Sequence, residues 1–166
     1  MDLFTLYLAG PIIAASNDDV IPWRDELTQF LSLNNIGVKD PTKKDHPKFG
    51  KYQHGYLTQL REEYGFDSPE VREFVQWTFE ADLQLIRESD GVLAHLPQAT
   101  FSVGTSQELF FGSFCLGLPT FVVTNLDPPT QFSAFLQQTT TKHYGSFVLF
   151  KEDITSVVEV VQSFVR

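Results

Sequence analysis

Apolar positions along the chain alternate between two periods. Leu3-Phe4-Thr5-Leu6-Tyr7-Leu8 is a short, nearly continuous run of strand formers closed by Gly10-Pro11, the pattern of a parallel strand buried on both faces. From Pro22 to Leu33 the spacing becomes helical, with Trp23, Leu27, Phe30 and Leu31 on one side. Ile36-Gly37-Val38 is a weak second strand. Ser68 as N-cap, Pro69 at the first helical position and Glu70 in the first turn start a helix that runs to about Glu88. Gly91 to Leu96 reads as a third strand, and Gly104 to Leu116 as a helix stopped by Gly117. Thr120-Phe121-Val122-Val123 and Phe147 to Phe150 supply two more strands. Ile154, Val157, Val158, Val161, Phe164 and Val165 then mark a closing helix.

This alternation predicts an α/β fold, a doubly wound (Rossmann- or flavodoxin-like) five-stranded parallel sheet with helices on both faces. Residues 1–166 read as a single domain, without internal repeats or low-complexity tracts. The irregular part is an inserted loop at about 41–67, rich in Lys and Tyr and long for an α/β connection. It is either a lid or an idle surface loop, with a short helix expected around Tyr56–Tyr64.

Composition narrows the function. The 166 residues are 42% apolar and include 16 Phe, enough for a sizeable core. A net charge of −9 argues against a nucleic-acid polymer as partner, since a phosphate backbone needs clustered Lys and Arg. It leaves open a small anion held by backbone N–H groups at a helix start. The single cysteine, Cys115, precludes an internal disulfide and reads as part of the core. The Met-Asp start has no basic region and its apolar run is cut by Gly10-Pro11, so no signal peptide is expected. No apolar run reaches the roughly 18 residues of a membrane span. A cytoplasmic protein without a membrane partner is therefore expected. His46, His54, His95 and His143 lack metal-ligand spacing, so no metal or cofactor is expected.

In an open parallel sheet the ligand crevice lies beyond the carboxyl ends of the strands, where the winding reverses. Here the segments after strands one and three line it. Glu108 has a structural reading, since Thr105-Ser106-Gln107-Glu108 fits a capping box with Thr105 as N-cap. Its functional reading is a first-turn carboxylate kept ionised by the helix dipole, as a nucleophile requires. Asp82 falls in a stripe formed by Val71, Val75, Phe79 and Ile86, where a carboxylate needs a partner or a function. Tyr7, if buried, needs a partner for its phenol. Asp90 reads as a structural residue preceding strand three.

The segments Tyr7-Leu8-Ala9-Gly10-Pro11, Glu80-Ala81-Asp82-Leu83, Ser89-Asp90-Gly91-Val92-Leu93-Ala94 and Ser102-Val103-Gly104-Thr105-Ser106-Gln107-Glu108-Leu109 together resemble the nucleoside 2-deoxyribosyltransferase superfamily. The resemblance covers residues 3–123, apart from the 41–67 insertion. It implies that Glu108 attacks C1′ of a deoxyribonucleoside to form a glycosyl-enzyme intermediate, that Tyr7 holds this glutamate, and that Asp82 assists departure of the base. It also implies a homodimer or larger assembly in which subunits complete one another's sites. Six residues before the nucleophile, where the transferases have Asp, stands Ser102, as in the superfamily's nucleotide hydrolases, where serine meets a 5′-phosphate. The arginine those hydrolases carry after strand one is absent from Pro11-Ile12-Ile13-Ala14-Ala15.

Cleaving an N-glycosidic bond builds positive charge on the sugar, which a carboxylate stabilises and can capture. The base needs a proton, which a carboxyl of raised pKa can give. The expected division is an ionised Glu108 and a protonated Asp82. Gly10, Pro11, Ser102, Gly104 and Thr105 are candidate substrate contacts, and Trp77 and Phe79 could stack on a base. The expected activity is sugar transfer from a nucleoside to a free nucleobase. The alternatives are hydrolysis of deoxynucleoside 5′-monophosphates and a non-catalytic nucleotide-binding module.

Overall fold

A computed structural model of the chain describes residues 3–11, 22–51, 55–96, 102–124, 148–150, 158–159 and 161–163. The strands are β1 (Thr5–Ala9), β2 (Gly37–Lys39), β3 (Asp45–His46), β4 (Gly50–Lys51), β5 (Gly91–Leu96), β6 (Thr120–Thr124) and β7 (Val148–Phe150). The helices are α1 (Pro22–Leu33), α2 (Tyr56–Tyr64), α3 (Pro69–Arg87) and α4 (Val103–Phe110), the last continued by a π-helical turn, Phe111–Cys115. Residues 158–159 and 161–163 are helical, whereas Ile154, Val157, Phe164 and Val165 lie outside the described residues.

Five parallel strands form the main sheet in the order β2-β1-β5-β6-β7. Winding runs one way from β1 to β2 and the other way from β5 onward, so the crevice opens between β1 and β5, where Leu6 to Ala9 pair with Gly91 to Ala94. Strand alternation sorts the core into two layers. Leu6, Leu8, Leu93 and Phe121 meet α1 through Leu27 and Leu31, together with Val158 and Val161 of the last helical segment. Tyr7, Ala9, Val92 and Ala94 face Ile86 of α3 and Leu109 of α4 on the other side. Helices therefore cover both faces, as the alternation predicts.

Local chemistry sets the element ends. Ser68 Oγ accepts from Val71 N at 3.3 Å and Pro69 opens α3, as read from the sequence. Gly117, at φ +76°, ends the α4–π segment in the left-handed region that glycine tolerates. Asp90 is structural: its carboxylate accepts from Thr5 N at 2.8 Å, tying the start of β5 to β1.

The insertion is an ordered substructure. After a 3₁₀ turn at Pro41–Lys43, β3 and β4 pair as a small antiparallel hairpin, and α2 spans the expected Tyr56–Tyr64. Leu60, Phe49, Tyr56 and Leu57 pack on Val71, Phe74 and Trp77, forming a satellite core on α3. Among the described residues, no helix is long and apolar enough to cross a membrane.

Candidate active site

Tyr7 points from β1 into the α3–α4 layer and is fully buried. Its hydroxyl donates to Glu108 Oε1 at 2.7 Å, so the phenol has the partner that burial demands. Glu108 and Asp82 both line a cavity of about 640 Å³ between α3 and α4, with Val75, Phe79, Gly104 and Leu57 among its walls. That volume suits a small organic ligand. The mostly apolar walls leave few polar groups to fix a ligand's orientation.

Asp82 is not alone. Lys44 Nζ lies 2.6 Å from Asp82 Oδ1, with side-chain exposures of 6% and 16%. The same ammonium is 3.5 Å from the Thr78 carbonyl. Lys44 follows directly on the 3₁₀ turn capped by Asp40, whose carboxylate accepts from Thr42 N at 2.9 Å. Asp40 in turn lies 3.6 Å from the buried Arg24. Arg24 Nη2 donates to the Gly10 carbonyl at 3.1 Å, and its guanidinium lies 4.4 Å from the centre of the Trp23 ring. A Cβ at position 10 would approach Trp23 to 2.7 Å, so Gly10 is required for close packing beside the crevice. Arg24 and Lys44 were not among the residues singled out from the sequence. Arg24 sits in an ordinary amphipathic helix and Lys44 in a lysine-rich loop, so neither carries a local signal.

The titration of the pair differs from the expected division. Burial, with the Asp82 charge adding to it, pushes Glu108 up to about 8, against the opposing pull of the Tyr7 hydroxyl, Lys44 and Arg24. Burial also raises Asp82, while Lys44 and Arg24 oppose the rise. Tyr7 is pushed well above its ordinary value by burial and by both carboxylates, so it remains a hydrogen-bond donor. The upward shift of Glu108 runs against the expected ionised Glu108, whereas the upward shift of Asp82 has the expected direction. Among the described residues, Asp82 has a cation at contact distance, whereas Glu108 accepts from a neutral phenol and feels Lys44 and Arg24 at longer range.

Helix geometry explains part of this correction. The N-cap of α4 is Ser102, whose Oγ accepts from Thr105 N at 3.3 Å, so Thr105 is the third helical residue and not the cap. Glu108 then falls in the second turn, where the helix dipole assists its ionisation less. The capping-box reading of Glu108 falls with it. The α3 stripe is corrected too: Val71 and Ile86 are buried, but Val75 and Phe79 are 43% and 60% exposed and face the cavity.

The remaining candidates divide. Phe79 and Gly104 join Asp82 and Glu108 at the cavity. Ser102 caps the helix above it. Pro11 is buried after Gly10. Thr105 is buried in α4, and its hydroxyl has no hydrogen-bond partner among the described residues. Trp77, expected to stack on a base, packs instead in the satellite core, 4.6 Å from the His46 ring. Cys115, expected in the core, is exposed and lines the cavity at the end of the π-helical turn.

A parallel sheet in 2-1-3-4-5 order, with a carboxyl pair at its switch point, defines a flavodoxin-like α/β protein. Two solved structures share this fold. One is the 2-deoxyribosyltransferase of Bacillus psychrosaccharolyticus, at 20% identity and TM-score 0.57 over 93% of this chain and 90% of that one. The other is the CMP N-glycosidase of Clostridium botulinum, at 14% identity and TM-score 0.55 over 96% of this chain and 98% of that one. No protein-family model and no curated protein sequence matches the chain.

Proposed function

We propose that this protein is an enzyme that cleaves the N-glycosidic bond of 2′-deoxyribonucleosides and transfers the sugar to another nucleobase. The carrying observation is the 2.7 Å contact between the Tyr7 hydroxyl and Glu108, in a cavity Glu108 shares with Asp82. Glu108 attacks C1′ as the C1′–N bond breaks, and the bond electrons leave with the base. Glu108, pushed up to about 8, holds the proton at neutral pH, so substrate binding must move that proton before attack. Asp82, close enough for its charge to raise Glu108, is the acceptor that relays it to the departing base. A nitrogen of the incoming base then attacks C1′, the C1′–O bond to Glu108 breaks with its electrons returning to the carboxylate, and the proton of the incoming base passes to Asp82, restoring the resting pair. Tyr7 orients Glu108 throughout. The two solved structures of the same fold act, by name, on these bond types, which supports the reading.

A second reading, hydrolysis of nucleoside 5′-monophosphates, is favoured by Ser102. Its hydroxyl accepts from Thr105 N and keeps a proton to donate, and no carboxylate at this position repels a phosphate. Water would replace the acceptor base in that case. The proposed enzyme is cytoplasmic and a homodimer or larger, with exposed Phe79, Phe114 and Leu116 available to a second copy.

Incubation with deoxynucleosides and their monophosphates, with and without a free acceptor base, tests the proposal. Base exchange supports the transferase, and base release confined to monophosphates supports the hydrolase. Binding without turnover would leave a nucleotide-binding module. Glu108→Ala should reduce any turnover by several orders of magnitude, as removal of a covalent nucleophile does. Rates near those of the wild type would remove Glu108 from the mechanism.

A further inference from the structure

The insertion reaches the site through one side chain. Lys44 is held from three directions: its ammonium contacts Asp82 Oδ1 at 2.6 Å and the Thr78 carbonyl at 3.5 Å, and lies 5.5 Å from the centre of the Trp77 ring. It is almost wholly buried, and the turn that delivers it is capped by Asp40 and followed by the hairpin packed on α3. A buried ammonium in such a setting is retained only beside a compensating charge, and Asp82 supplies it.

We propose that Lys44 is a positioning residue of the active site, holding the Asp82 carboxylate in place at the cavity through their ion pair. Lys44 does not line the cavity and acts through Asp82. The charged and titratable groups that bear on the pair come from every element around it: Tyr7 from β1, Arg24 from α1, Lys44 from the insertion, Asp82 from α3 and Glu108 from α4. Of these, Lys44 contacts Asp82 directly, as an ion pair at 2.6 Å. Removing its charge raises the proton affinity of the pair as a whole, and Asp82 gains most because it loses a neighbour at contact distance. The proton then moves to Asp82. The insertion accordingly belongs to the catalytic apparatus and sets the resting protonation state from outside the sheet.

The catalytic meaning of this placement rests on the proposed glycosidic reaction, but the protonation itself is measurable without turnover. Carboxyl carbon NMR of Asp- and Glu-labelled protein would follow both groups against pH in wild type, K44M and K44R, with Asp82→Asn and Glu108→Gln used to assign the signals. In K44M the Asp82 midpoint should rise by about one to three pH units, the usual effect of an opposite charge at this range. K44R should stay within about half a unit of wild type, since it keeps the charge. An Asp82 titration unchanged in K44M would overturn the proposal. Should K44M not fold, K44Q makes the same measurement with a side chain that can still bond to Thr78 O. In the turnover assay, the alkaline limb of kcat/KM should move to higher pH in K44M and stay in place in K44R. A protein with no glycosidic turnover but with the Asp82 shift would sink the proposed function and leave the role of Lys44 standing.

Discussion

A carboxyl that folding pushes up to about 8 leaves a signature in stability as well as in catalysis. In the unfolded chain Glu108 releases its proton near 4.5, and in the folded chain near 8. Between those values the folded state binds the proton more tightly than the unfolded state does. The stability associated with the group is therefore complete below about pH 4.5 and is lost as pH rises through 8. At 1.36 kcal/mol per pH unit the full loss is on the order of 5 kcal/mol, a substantial fraction of the roughly 5–15 kcal/mol that holds a domain folded. Glu108→Gln keeps the shape and still accepts from the Tyr7 hydroxyl, but never ionises. Urea unfolding of both proteins from pH 5 to pH 9 isolates the effect, because every other titrating group is common to the two. The curves should lie within about 1 kcal/mol of each other at pH 5, diverge steadily up to about pH 8 and run parallel above it, with the variant the more stable by several kcal/mol at pH 9. Parallel curves across that range would show that Glu108 ionises freely in the folded protein, and the assignment of its resting proton would fail.

Tyr7→Phe removes the hydroxyl that donates to Glu108 Oε1; loss of a bond to a charged group is worth about 1.5–3 kcal/mol, so kcat should fall roughly ten- to hundredfold with little change in KM, and unchanged kcat would refute the orienting role. Ser102→Asp places a carboxylate where a 5′-phosphate would lie; kcat/KM for monophosphates should drop at least about tenfold, equivalent to about 1.4 kcal/mol, while nucleosides are spared, and equal losses would mean that position 102 does not read the 5′ substituent. Gly112→Ala brings a Cβ to 2.6 Å from Val92 Cγ2 at the packed junction of the π-helical turn and β5; thermal denaturation should show a loss of about 1–3 kcal/mol, and an unshifted melting point would mean that the junction relaxes freely.

The parts of this architecture legible in the sequence are those decided by neighbours in the chain. Ser68-Pro69-Glu70 starts a helix wherever it is placed, and Gly117 ends one, because caps and left-handed residues act over three or four positions. Uninterrupted apolar runs gave the five parallel strands for the same reason. The insertion was harder, because its order comes from Phe49, Tyr56, Phe74 and Trp77 meeting across about 25 residues of chain, which no local pattern encodes. Period alone also cannot separate core from cavity wall. Val75 and Phe79 repeat at helical spacing yet face the cavity, since an apolar ligand site makes the same demand on a helix face as a core does. The start of α4 was ambiguous in a different way: both Ser102 and Thr105 can cap, and in the fold Ser102 is the cap while Thr105 is buried one turn in.

The site shows the same division between identity and state. Tyr7, Asp82 and Glu108 could be named because their residue types fit the chemistry, and they surround one cavity. Which of the two acids holds the proton depends on charges arriving from elsewhere in the fold. Lys44 comes from 38 residues before Asp82 and Tyr7 from 101 residues before Glu108. A lysine on Asp82 and a neutral phenol on Glu108 give the carboxyl pair one cation and one hydrogen-bond donor, an arrangement suited to a single negative charge. Adding a second charge at this depth would leave it uncompensated, which is why Glu108 retains its proton to about 8. For a glycosyl transfer that arrangement is useful, because the proton the departing base requires is already stored beside the nucleophile that must lose it. The proton that Glu108 gives up on substrate binding then serves the leaving group, and the Glu108 carboxylate faces the positive charge that develops on the sugar it captures.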